Sequence, residues 1–123
     1  MGTEQAEAAE TETITGRHEV RDGVALVTVE GEVDVDTAPK VRDWLEEAFT
    51  ADQPAVVLDL TGVTFFASVG LAMLVEFHGR GETEKIELRT VAPTRAVAAP
   101  IFLTTLDKVI KLYPDVDSAV AGG

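Results

Sequence analysis

The sequence has no cysteine. Disulfides and thiolate metal sites are therefore excluded, and the absence fits a reducing compartment, so a cytoplasmic location is expected. No apolar run reaches the ~18 residues of a membrane helix, so no membrane insertion is expected. The opening residues, MGTEQAEAAETET, have neither a basic start nor an apolar stretch and do not read as a secretory signal. Basic residues are scarce: 10 Lys and Arg stand against 22 Asp and Glu, a net charge of -12. They are also scattered, which disfavours nucleic acid as a partner, because binding to phosphates needs clustered cations. An acidic surface keeps a chain soluble and steers it toward basic partners.

Catalytic patterns are missing too. Ser68 lies in Phe66-Ala67-Ser68-Val69-Gly70, which is not the G-x-S-x-G nucleophile elbow. The only histidines are His18 and His78. His18 falls on a hairpin strand, and His78 stands ~15 Å along the same helix as Ser68, so neither offers a base within reach. Gly79-Arg80-Gly81 is too short for a phosphate loop and follows a helix instead of preceding one. Asp34 and Asp36 are the nearest thing to a metal pair, but no further ligands have suitable spacing. They read better as a solvated acid and a helix start. Neither enzyme activity, cofactor nor metal is expected.

What the sequence does contain is one domain's worth of patterned elements. The chain has 123 residues, 46% of them hydrophobic, enough for a single core. Residues 1–13 carry four Glu and no cation and predict a disordered acidic tail; the domain is expected over 14–121. Asp22-Gly23 between two β-prone runs predicts a type I′ hairpin. Asp36-Thr37-Ala38-Pro39 predicts a helix start, followed by the apolar stripe Val41, Trp44, Leu45, Ala48 and Phe49. Ala55 to Leu60 predicts a strand buried on both faces and ended by Thr61-Gly62.

A second helix is expected from Ser68 to about His78, cut short by Gly79 and Gly81, with His78 at its C-terminus. It has two apolar stripes: Leu71, Leu74 and Val75, then Val69, Ala72 and Met73. One can face a sheet; the surplus points to a binding face and leaves homodimerisation open. Ile86 to Val91 alternates as a strand. Thr94 predicts the cap of a third helix, kinked or split by Pro100. A last strand over Val109 to Tyr113 and a helical turn capped by Asp115 follow. Strands alternating with helices predict a mainly parallel sheet. Asp59, at the carboxyl end of the buried strand, is expected near Ser68.

Asp59-Leu60-Thr61-Gly62-Val63-Thr64-Phe65 followed by Ser68-Val69-Gly70-Leu71 resembles the signature of STAS domains, and the chain is similar to the anti-sigma factor antagonists of bacteria. Val29-Glu30-Gly31-Glu32-Val33-Asp34, Val91-Ala92-Pro93, Leu106-Asp107-Lys108-Val109 and Tyr113-Pro114 agree. The resemblance covers about residues 17 to 121 and rests on the order and spacing of these motifs together. It implies an α/β STAS fold with four to five mostly parallel strands and helices chiefly on one face. It implies a non-enzymatic regulator that binds an anti-sigma factor, itself a serine kinase, and so frees a sigma factor. Ser68 would be the phosphoacceptor, reset by a metal-dependent Ser/Thr phosphatase. Asp34, Phe66, Ala67, Ser68, Val69, Ala72, Met73 and Glu76 would form the partner face, with Asp59, Thr61 and Gly70 supporting it. The family usually has Asp directly before the serine; Ala67 stands there in this chain. The same fold also serves scaffold subunits of signalling assemblies and partners of lipid transporters, which need no phosphorylation.

Overall fold

A computed structural model describes residues 14–122. The expected tail, residues 1–13, lies outside them. Strands β1 (Ile14–Arg21) and β2 (Val24–Val33) form the hairpin, antiparallel and in register from Ile14 with Gly31 to Arg21 with Val24. Asp22 and Gly23 supply the two positive φ angles, 51° and 81°, that a type I′ turn requires. Strands β3 (Ala55–Phe66), β4 (Glu87–Val91) and β5 (Lys111–Tyr113) add in parallel. The sheet order is β1-β2-β3-β4-β5.

The helices α1 (Ala38–Phe49), α2 (Ser68–Glu84) and α3 (Arg95–Leu103) make the crossovers. Each crossover steps one strand in the same direction. With a single right-handed sense, all three helices must fall on one face. The main core lies between that face and the helices, around Val27, Leu45, Leu58, Leu60, Leu74, Phe77 and Ile101. The short helix α4 (Val116–Ala121) follows the last strand, is not a crossover, and covers part of the other face over Leu26, Val57 and Val91. Asp115 caps it as expected, its Oδ1 accepting the Ser118 N–H at 2.8 Å. Among the described residues no helix is long and apolar enough to cross a membrane.

Four elements depart from the sequence expectation. β3 does not stop at Thr61-Gly62: β2 continues beside it, and two register shifts, at Thr28/Glu30 and Gly31/Glu32, let pairing resume as far as Val33 with Phe66. α2 runs past Gly79 and Gly81 to Glu84 and ends at Lys85, whose φ is 63°. His78 is therefore well inside the helix. α3 is one uninterrupted helix through Pro100, and Thr94, at its cap position, makes no capping hydrogen bond. Its hydroxyl is buried without a partner among the described residues. β5 is shorter than expected because the Val109 and Ile110 N–H groups donate back to the Leu106 carbonyl of a 3-10 turn, Leu106–Lys108.

Candidate functional site

The end of β3 delivers the chain to the start of α2. Val33 pairs with Phe66, and the Ala67 N–H donates to the Val33 carbonyl at 2.9 Å. Ala67 is the cap residue, extended at φ -81° and ψ 172°, and its methyl group cannot accept a hydrogen bond from the first turn. Ser68 is thus the first helical residue, with Ala67 before it in the cap position. Its side chain is exposed, and its hydroxyl makes no hydrogen bond among the described residues. The first turn is pressed onto the sheet at Gly70, where a Cβ would lie 2.7 Å from the Phe66 ring. Gly70 is a buried packing point inside the helix, not part of a loop.

Helix residues advance by about 100° each, which sorts the expected partner residues. Ser68, Ala72 and Val75 point outward and are exposed. Val69, Met73 and Glu76 point toward α1. Phe66 and Met73 are 8% and 4% exposed and pack into the core, although both were expected on the partner face. They line a small internal void together with Val33, Val41, Leu60 and Gly70.

Between α1 and α2 runs an open groove of about 320 Å³, lined by Val35, Pro39, Arg42, Asp43, Val69 and an edge of Met73. Glu76 closes its far end: Arg42 donates to both Glu76 carboxylate oxygens at 2.6 Å. That hydrogen-bonded pairing holds the Glu76 carboxyl below its ordinary value and raises Arg42. A second link, Arg80 to Glu46 at 2.8 Å, joins the same helices. Arg80 also lies over the Phe49 and Phe77 rings, at 5.2 and 5.0 Å. Such exposed pairs contribute at most ~1 kcal/mol each, and both tie α1 to α2.

The groove's near wall is the β2–α1 loop. Asp34 Oδ1 accepts the N–H groups of Asp36 and Thr37 at 2.9 and 3.0 Å. Thr37, buried, accepts the Asp34 N–H at 2.9 Å and donates to the Glu32 carbonyl at 2.7 Å. Asp34 is therefore a loop anchor, not a solvated acid, and Thr37 rather than Asp36 occupies the cap position. This local network presents Val35, 73% exposed, beside the groove. Sequence reading missed Val35, Thr37, Pro39 and Arg42. An apolar residue between two Asp in a polar loop was the available signal for Val35.

Asp59 and Ser68 are not brought together. Asp59 Oδ1 accepts the Thr61 N–H and hydroxyl at 3.0 and 2.6 Å. By strand alternation it faces away from the three crossover helices, since its neighbours Leu58 and Leu60 face them. Six residues of β3, ~20 Å of strand, separate it from Phe66. Among the described residues no cluster of His, Asp and Glu could hold a metal.

Comparison with known proteins places the chain by sequence and fold. The family model for the STAS domain matches residues 17–119. The anti-sigma-F factor antagonist RsfB of Mycobacterium tuberculosis is 31% identical over 100 residues, 81% of each chain. The crystal structure of an anti-sigma factor antagonist from Mycobacterium paratuberculosis superposes with a TM-score of 0.82 at 38% identity, covering 89% of this chain and 92% of that one. The unphosphorylated anti-sigma factor antagonist SpoIIAA shares the fold, with a TM-score of 0.70 at 14% identity, over 89% of this chain and 98% of that one.

Proposed function

The chain belongs to the STAS domain family, and from that membership we propose that it is an anti-sigma factor antagonist whose grip on its partner is set at Ser68. Unphosphorylated, it binds an anti-sigma factor that is also a serine kinase, and the sigma factor is freed. Phosphoryl transfer from ATP to the Ser68 hydroxyl ends the binding, and a metal-dependent Ser/Thr phosphatase restores it. The observation that carries the reading is the setting of Ser68. Its hydroxyl is exposed and uncommitted on the first residue of α2, next to Val69 at the groove.

A phosphate at a helix N-terminus is tolerated by the protein that bears it, because the dipole favours negative charge there. The same group adds about -1.5 to -2 charge to a contact made largely of Val35, Val69 and Ala72. Leaving it unpaired in the interface costs the complex ~2–5 kcal/mol, or about 30-fold or more in affinity. A second reading draws on Ala67: a scaffold or adaptor could use the same face with no phosphorylation.

A pull-down from native lysate separates the two, with wild type and Ser68→Asp as baits and mass spectrometry of bound proteins and of the Ser68 peptide. Retention of an ATP-binding anti-sigma factor by wild type alone, with phosphorylated Ser68 found in the unbound fraction and not in the retained complex, is the expected result. Equal retention by both baits with Ser68 never modified would make the protein a constitutive binding module.

A further inference from the structure

Toward the far end of α2 from Ser68, where the helix meets the start of β4, lies an open cavity of about 290 Å³. Pro54, Ile86 and Leu88 give it an apolar wall, and His78 and Lys85 stand at it from the helix. Gly81 closes the corner: a Cβ there would lie 2.1 Å from the Ile86 carbonyl oxygen, so helix and strand are in backbone contact.

The charges around the cavity are not equivalent. The Glu87 carboxylate is committed, bound by the Lys111 ammonium and by Arg89 Nε at 2.7 Å. Glu87 and Lys111 therefore neutralise each other. Glu82, also at the cavity, lies 3.5 Å from His78 Nε2 and pairs with it one helical turn on. The His78 ring and the Lys85 ammonium have no hydrogen bond among the described residues, and Lys85 has no ion pair. One unpaired donor, the Lys85 ammonium, and the His78–Glu82 pair thus border one concave apolar wall in a chain whose net charge is -12. Lys85 also holds a left-handed conformation, φ 63°, at a helix end where glycine is the usual residue.

We propose that this cavity binds a small organic anion, its carboxylate held by the Lys85 ammonium and its short aliphatic body resting on Pro54, Ile86 and Leu88. A volume of this order suits a ligand of a few carbon atoms with one or two polar anchors. The site is independent of the Ser68 reading, since ten helical residues, ~15 Å, separate His78 from Ser68.

Amide shifts of the isotopically labelled full chain, followed during titration with sodium hexanoate to about 10 mM, test it. Hexanol and inorganic phosphate serve as parallel probes of the apolar wall alone and the charge alone. Saturable hexanoate shifts confined to residues 78–88 and 111 are expected, with both other probes weaker by about tenfold or more. Lys85→Met is expected to weaken hexanoate about tenfold and to leave the remaining spectrum unchanged. No saturable shift, equal binding of hexanol or of phosphate, or unaltered hexanoate binding by Lys85→Met would each overturn the proposal.

Discussion

Met73 and Ser68 lie five residues apart on α2 and face different ways. The sequence showed that this helix has more apolar residues than one sheet contact can use. It did not show which side would meet α1. Val69, Ala72 and Met73 read as one stripe, but the structure divides them: Ala72 is exposed, Val69 borders the groove and Met73 is buried. Neighbouring helices decide such questions, and no local pattern encodes their placement. Met73→Lys is accordingly expected to destabilise the domain by about 3 kcal/mol or more, because it removes packing and buries an ammonium. Urea denaturation measures this directly. An unchanged urea midpoint with lost partner binding would return Met73 to the surface. Short-range polar chemistry was misread for a related reason. Asp36 looked like the cap, whereas Asp34, two and three residues before the N–H groups it accepts, closes the turn. Spacing alone does not say which of two nearby carboxylates folds back on the backbone. Ser68 itself was legible as the polar residue at a helix start.

At the scale of elements, order and direction were readable almost throughout, because the hairpin turn, the proline at the first helix and the alternating apolar runs are local signals. Lengths were less so. Gly79 and Gly81 have the lowest helix propensity short of proline, yet α2 continues through both. The two glycines play opposite parts, and substitution separates them. A Cβ on Gly79 meets nothing within 4 Å, so Gly79→Ala is expected to stabilise the fold by up to about 1 kcal/mol through helix propensity. A Cβ on Gly81 would meet backbone oxygen at 2.1 Å, so Gly81→Ala is expected to cost about 2 kcal/mol as helix and strand move apart. Paired thermal melts test this; shifts of the same sign in both variants would contradict the close approach of α2 to β4. The extension of β3 past Thr61-Gly62 was hidden for a similar reason. It depends on β2 continuing alongside with two register shifts, a property of the pair and not of either strand.

At the scale of the whole molecule, charge governs how stability responds to pH. With a net charge of -12 at pH 7 and a pI of about 4.4, mild acidification relieves self-repulsion and favours the compact state. Specific pairs oppose this at lower pH. The Glu87 carboxyl is held below its ordinary value of 4.5 by hydrogen bonds from Lys111 and then Arg89. Glu76 is held below the same value by Arg42. A carboxyl depressed in the folded state contributes stability that is fully present above its unfolded value. That stability is lost as pH falls through the lower, folded value. The net negative charge has vanished by the pI, so below it relief of net repulsion no longer offsets the loss of these pairs, and growing positive charge adds to it. The urea midpoint is therefore expected to hold or rise slightly from pH 7 to about 5 and to fall steeply below about 4.4. Glu87→Gln is expected to lower the midpoint near neutrality and to make the acid fall shallower, since one of the titrating pairs is gone. A midpoint that kept rising below the pI would mean that net repulsion, and not these pairs, governs the acid limb. An acid limb unaltered by Glu87→Gln would mean that the ion pair joining β4 to β5 contributes nothing measurable to folding.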